Sequence, residues 1–376
     1  LTASSFSFQR KGAYLSLHQK KKTMKHDDVF KRAVDFLRGI KSTDNVVVIF
    51  NNDGDGICSC ILINKYLETK KNKPYIISQP MPTEKNLIRK VQTTVPTKII
   101  ILDIAIDQQQ NVLKNLAGMC DILVIDHHQI SRDMNSDSIV HYNPRFEKPG
   151  IYKSTSYCAY KICSALQDTG ESLWIAAVGM VSDYNLDFSQ DLVKESVKKY
   201  SLKSDILYET HFGRLADMIS AAKAMKALMC EEMVWLFNSM KGPEDFSVKG
   251  SDKLVESFKT IENEMMSIMA DAEQNSEKDG KILFYNIKSR YNLASPVSTK
   301  LSEKHLDKLV LVYEKTGNRI KVSGRNQAKK FDVGRILQTA TRGLKASGGG
   351  HDAAGGATLE TKDWEKFKER LEEITG

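Results

Sequence analysis

A chain of 376 residues is long for one hydrophobic core, so two domains are the default expectation. With 41% hydrophobic and 27% charged residues it has the make-up of an ordinary soluble protein, and no run approaches the roughly 20 apolar residues of a helical bilayer span. The net charge of +8 is unevenly spread: five lysines and arginines (Arg10, Lys11, Lys20, Lys21 and Lys22) and no acidic residue lie within 1–23, leaving +3 elsewhere, so global basicity is weak evidence for a polyanionic partner.

Residues 1–23 read as a transit peptide, as a basic tail expected to be disordered, or as translated sequence ahead of a start at Met24. The last two are favoured, because "MKHDDVFKRAVDFLRGI" begins like a first helix and residue 1 is not Met. The six cysteines, Cys58, Cys60, Cys120, Cys158, Cys163 and Cys230, include no C-x-x-C pair. They predict free thiols in a reducing compartment, the cytoplasm, rather than zinc ligands or disulfides.

From Val46 onward short β-branched runs, "VVVIF", "PYIIS", "KIIILDI", "DILVID" and "SIVHYN", alternate with amphipathic segments such as "CSCILINKYLETKKN" and "TEKNLIRKVQTT". This pattern predicts an α/β fold, a mostly parallel sheet with helices on both faces, over residues 24–187. Residues 188–280 read as a helical connector that ends in a polar linker, "DAEQNSEKDG". Its methionines Met218, Met225, Met229 and Met233 recur at helical spacing and suit a packed interior better than a partner-gripping stripe. A second, smaller α/β domain is expected over 281–376: a strand "KILFYNI", a helix at Ser298–His305, a hairpin turning at Thr316–Asn318, the glycine-rich "ASGGGHDAAGG" and a charged C-terminal helix.

The stretch "IFNNDGDGICSC" places Asp53 and Asp55 one residue apart directly after the first buried strand. A turn would account for the Asn, Asp and Gly residues, but it needs only one or two of them, and close carboxylates repel unless a cation lies between them. Asp103 follows "IIIL", Asp126, His127 and His128 close "LVIDHH", and Asp183 follows the apolar "VGMVS". Strand ends of a parallel sheet share one edge, so Asp53, Asp55, Asp103, His127 and Asp183 are expected to converge on one crevice. Asp103 or Asp183 alone could be a helix cap. Together, carboxylates with one imidazole suit Mn²⁺ or Mg²⁺ better than zinc.

In this order the D-x-D-G of Asp53–Gly56, Asp103, the DHH of Asp126–His128 and Asp183 resemble the four motifs of the DHH phosphoesterase superfamily. "GGGH" at Gly348–His351, with "VSGR" carrying Ser323 and Arg325, resembles the superfamily's associated C-terminal domain, and the whole is most similar to the RecJ-like proteins of archaea, implying a prokaryotic cytoplasm. The resemblance implies two divalent cations, Mn²⁺ or Mg²⁺. Asp53 and Asp103 would hold one and Asp55, Asp103, His127 and Asp183 the other, with Asp103 bridging. It implies that Asp126 orients a histidine and that His128 contacts the scissile phosphate or protonates the leaving oxygen. It also implies that Ser323, Arg325, Gly348, Gly349, Gly350 and His351 grip substrate phosphate. The chain departs from the pattern in one place: several branches carry a histidine four or two residues before the first motif aspartate, where this sequence has Ile49 and Asn51.

The expected activity is trimming of single-stranded DNA or RNA, or of short oligonucleotides. Its alternatives are a phosphatase of small nucleotides (3′-phosphoadenosine phosphate or cyclic dinucleotides) and a catalytically weak scaffold among replication or repair proteins. Five retained ligand types argue against the scaffold, and the missing motif I histidines leave it open.

Overall fold

The computed structural model describes residues 26–79, 84–184 and 186–376; the basic tail falls outside these residues. The first part runs α1 (His26–Arg38), β1 (Val46–Phe50), α2 (Gly54–Thr69), β2 (Tyr75–Ser78), α3 (Glu84–Thr93), β3 (Lys98–Leu102), α4 (Gln110–Ala117), β4 (Asp121–Ile125), β5 (Ile139–Tyr142), α5 (Thr155–Ser164) and α6 (Leu173–Ser182). All five strands pair in parallel in the order β2-β1-β3-β4-β5. Their β-branched runs are buried on both faces, and the period of two sorts them. Val46, Val48 and Phe50 face a core shared with α1, α2, α5 and α6, whereas Val47 and Ile49 face one shared with α3 and α4.

From β1 the chain crosses to β2 on one side and returns to β3 on the other. The adjacent ends of β1 and β3 therefore form the topological switch point, where an open parallel sheet leaves a crevice for ligands.

Helices α7 (Gln190–Lys199), α8 (His211–Met225), α9 (Cys230–Ser239) and α10 (Ser251–Asn275) follow. They are not a free-standing connector. Phe212, Leu215, Met218, Ile219, Met233, Phe237 and Leu254 continue the first core, while Met265, Ile268 and Ala272 of α10 belong to the second. The methionine stripe breaks at Lys226, whose left-handed backbone (φ +55) ends α8. Met218 and Met233 are buried as expected, but Met229 is 67% exposed.

The expected polar linker is regular structure: residues to Asn275 finish α10, and β6 (Glu277–Asp279) pairs with β7 (Ile282–Asn286). Then come α11 (Ala294–Lys304), β8 (Leu309–Thr316), β9 (Arg319–Arg325), α12 (Val333–Thr341), β10 (Ala346–His351), β11 (Ala354–Glu360) and α13 (Trp364–Thr375). The second sheet is mixed, ordered β10-β11-β9-β8-β7-β6 with only β7 and β8 parallel. One face packs on α12 and α13, the other on α10 and α11. No described helix is long and apolar enough to cross a membrane, and all six cysteines are free.

Candidate metal centre

Asp53 caps α2, its Oδ1 accepting the N–H of Gly56 at 2.9 Å. The two glycines of the motif do not serve a turn, since neither has positive φ. Each instead lacks a Cβ where none fits: one at Gly54 would lie 2.1 Å from Ser182 Oγ, and one at Gly56 would lie 2.3 Å from the Asn51 carbonyl. Gly54 thus lets the start of α2 press against the end of α6, bringing Asp55 towards Asp183.

The Asp55 carboxylate is wholly buried and faces the N-terminus of α5, accepting the N–H groups of Thr155 at 2.7 Å and Ser156 at 2.9 Å. Unpaired helix N–H groups suit an anion there. Asp103 is equally buried, accepts the Thr155 hydroxyl at 3.2 Å and lies 3.1 Å from His127 Nε2. Its backbone is left-handed (φ +59), uncommon for a residue other than glycine and a form of strain that collects at functional sites. Asp183 does not follow a strand, contrary to expectation. It ends α6, a helix apolar on every side because it is buried on every side, which is why "LWIAAVGMV" reads equally well as a strand. The crevice therefore has a floor of strand ends and a wall made by one helix end.

Ligand atoms of Asp55, His127 and Asp183 lie within 4.8 Å of one another, as do those of Asp103, His127 and His128. His127 Nδ1 and Asp183 Oδ2, 3.4 Å apart, are buried without a hydrogen-bond partner. Burial, then the neighbouring carboxylate charges, pushes Asp103 and Asp183 far above the usual carboxyl range, and Asp55 rises to about 7, chiefly through burial. Burial holds the His127 imidazole neutral, lowering it to about 4. Carboxylates that repel one another, a neutral imidazole and two orphaned polar atoms are the donor set of a hard divalent cation, which would restore the carboxylates' charge.

The first position is built differently. Asn51 Nδ2 donates to Asp53 Oδ2 at 2.6 Å and to Asp103 Oδ2 at 3.1 Å, while its Oδ1 accepts the Asn52 N–H at 2.8 Å. That last bond turns the amide so that its NH₂, which cannot ligate a metal, bridges the two carboxylates. Asp55, His127 and Asp183 fit a cation as they stand, while Asp103 lies at Nε2, the other nitrogen of the His127 ring. A second ion between Asp53 and Asp103 needs the Asn51 amide to swing away.

Asp126 accepts from His128 Nδ1 at 2.7 Å. Burial opposes the Asp126 charge, but the hydrogen bond and charge of His128 outweigh it and lower the carboxyl to about 2. Burial also opposes the charge on His128, whose affinity for its proton is nevertheless raised by Asp126. Of the tandem histidines, His128 is the outward one, its side chain 39% exposed against 4% for His127.

Several supporting residues carry no sequence signal of their own. Tyr152 lies close enough to Asp183 to oppose the rise in its pKa, and sets its ring edge-on to His127 with centroids 5.0 Å apart. Arg145 Nε donates to the His127 carbonyl at 2.7 Å, and Asn143 Nδ2 to that of His128 at 3.0 Å. Lys223 of α8 donates to Asn52 Oδ1 at 2.9 Å. Beyond Asn52 lies a cleft of about 1020 Å³, lined by Lys223, Met229, Met265 and Met266 but by none of the five candidate ligands.

The second-domain residues are less gathered. Ser323 Oγ pairs with Ser298 Oγ at 3.0 Å. Arg325 donates to Ser295 Oγ at 2.8 Å and lies within electrostatic reach of Tyr184, the residue after Asp183. Gly348, Gly349 and Gly350 are not a loop but part of edge strand β10, with β11 between them and β9. A Cβ at Gly348 would meet the Leu337 carbonyl at 2.6 Å, whereas Gly349 faces open space. The side chain of His351 is outside the described residues.

Two family models match the chain: the DHH family, N-terminal domain, over residues 45–181, and the DHHA1 domain over residues 250–376. The chain belongs to the DHH family. Its fold is similar to RecJ of Thermus thermophilus solved with Mn²⁺ (16% identity, TM-score 0.73, covering 92% of this chain and 54% of that one). It is also similar to an exonuclease RecJ bound to manganese (16%, TM-score 0.68, 92% and 94%) and to CDC45 from Entamoeba histolytica (12%, TM-score 0.55, 93% and 98%). The chain thus spans about half the length of the Thermus protein. No curated protein sequence matches it.

Proposed function

We infer that this DHH-family chain is a metal-dependent phosphoesterase that hydrolyses phosphodiester bonds in single-stranded nucleic acid or short oligonucleotides, using Mn²⁺ or Mg²⁺. The observation that carries this reading is the gathering of Asp55, His127 and Asp183 ligand atoms within 4.8 Å, with His127 Nδ1 and Asp183 Oδ2 unpartnered and Asp103 3.1 Å from Nε2 of the same imidazole. Thermus RecJ, of similar fold, is solved with each of these ions. When bound, such cations lower the pKa of water and stabilise charge on the oxygens of a phosphoryl displacement.

The chain's own residues supply the rest. The N-terminus of α5 and the packing of α2 on α6 hold Asp55 in place. Asp126 raises the affinity of His128 for a proton at the outward side, where it can face a phosphate oxygen or, when protonated, give its proton to the leaving oxygen. Arg325 offers a guanidinium fork for a substrate phosphate.

A catalytically weak scaffold among replication or repair proteins is the second reading, favoured by the Asn51 amide between Asp53 and Asp103. Incubation with Mn²⁺ and end-labelled single strands of several lengths, beside small nucleotides, separates the readings. Shortened products that vanish on adding chelator are expected. Full activity in excess chelator would overturn the metal-dependent reading, and no hydrolysis of any of these substrates would leave the scaffold.

A further inference from the structure

Tyr184 and Tyr208 stack with ring centroids 5.8 Å apart and planes within 13° of parallel. Single exposed aromatics on a protein surface need no explanation. This pair differs in three respects. First, Tyr184 is 70% exposed although one face of its ring lies against Tyr208, itself 36% exposed, so the outer face is open. Second, the exposure is held at a cost: Tyr184 adopts a left-handed backbone (φ +54), strained for a bulky residue, in the tight turn where its N–H donates to the Val181 carbonyl. Tyr208 is fixed from beneath, because α8 approaches so closely that a Cβ at Gly213 would lie 2.0 Å from the Tyr208 carbonyl. Third, the pair borders the metal centre. Tyr184 directly follows Asp183, and its hydroxyl lies within the field of Arg325 from the second domain.

A flat, preorganised, open aromatic face beside a phosphate-directed cluster and an arginine matches a nucleotide, whose base stacks while its phosphate is held. We propose that the Tyr184–Tyr208 pair is the stacking platform for the base of the nucleotide next to the scissile phosphate. The proposal rests on the phosphoesterase reading and narrows its substrate to nucleobase-bearing phosphodiesters. Stacking needs only a π-face, so the platform accepts any of the bases.

The test compares two oligonucleotides in Mn²⁺, one normal and one carrying tetrahydrofuran abasic residues at its ends. The readout is the ratio of their kcat/KM values, measured on a dinucleotide and on a twelve-residue strand so that it also tells which source supplies the base. The wild-type ratio is expected at roughly 5-fold to 150-fold in favour of the base-bearing substrate. Tyr184→Leu should bring it close to one, mainly through KM, and Tyr184→Phe should restore it. A wild-type ratio near one, or equal losses on both substrates in Tyr184→Leu, overturns the platform. Hydrolysis of bis(4-nitrophenyl) phosphate, run in parallel, checks the phosphoesterase reading on a substrate without a base. Should that reading fail, fluorescence anisotropy with labelled normal and abasic strands decides the platform by the same ratio, taken in Kd.

Discussion

The two domains treat their candidate functional residues in opposite ways. In the first domain Asp55, Asp103, Asp126 and His127 are buried, and the set is over-determined: Asp55 accepts two backbone N–H groups, Asp103 adopts a strained backbone, and the partly buried Asp183 is fixed by a helix end. In the second they lie on strands near the surface, with Arg325 held by Ser295 and Gly349 facing open space. Geometry within a few tenths of an ångström is what metal chemistry requires, whereas gripping a flexible polymer tolerates adjustment. The difference fits the proposal that the first domain carries the chemistry and the second captures the substrate.

The largest expected effect tests the rigid side. Asp103→Asn, which tolerates the left-handed backbone, should lower kcat on oligonucleotides by roughly 10³-fold, about 4 kcal/mol of lost transition-state stabilisation, with an unchanged circular dichroism spectrum. A loss under tenfold would contradict the central place given to Asp103. On the capture side, Arg325→Ala should raise KM by roughly 10-fold to 150-fold, the cost of about 1.5 to 3 kcal/mol for a charge-assisted hydrogen bond, with little change in kcat. An effect confined to kcat would move Arg325 into the chemistry and erase the contrast.

Asp126→Asn sharpens the comparison inside the first domain. It should cost about 10-fold to 100-fold in kcat. The pKa of His128, followed by NMR, should fall, because the charge that holds its proton is removed and the hydrogen bond to it is weakened.

Metal linkage gives a stability readout. In the metal-free protein the raised carboxyl of Asp55 favours folding while protonated, a contribution present at low pH and lost as pH rises towards about 7. A bound cation opposes that loss and must displace those protons. The rise in Tm on adding Mn²⁺ should therefore be small at pH 5 and larger at pH 8, where a hundredfold excess over Kd contributes about 2.7 kcal/mol. A rise that shrinks with pH would reverse the argument. The smallest effect belongs to Asn51→His: replacing the bridging NH₂ by an imidazole should lower the Mn²⁺ concentration for half-maximal rate several-fold, on the order of 1 kcal/mol. An unchanged titration would place residue 51 away from the cation.

Much of this was legible in the sequence because it depends on short-range pattern. Runs such as "VVVIF" and "KIIIL" are short and β-branched and alternate with amphipathic helical segments, which marks them as inner strands, so the parallel sheet followed, and with it the place of Asp53, Asp55, Asp103 and His127 at one edge. The hairpin at Gly317 was equally local. What only the tertiary structure decided depends on partners distant in the chain. An apolar segment looks alike as a buried strand or a buried helix, so only the packing of α6 made Asp183 a helix end. Glycines were readable as turn residues, yet Gly54 and Gly56 are needed for close approach, and "SGGGH" became an edge strand because β11 supplies its hydrogen bonds. Asn51 donates to a carboxylate 52 residues away, and Tyr184 meets Tyr208 across a stretch of helix. Sequence periodicity records which face of an element is buried; which side chain meets which across the fold is set by the assembled structure.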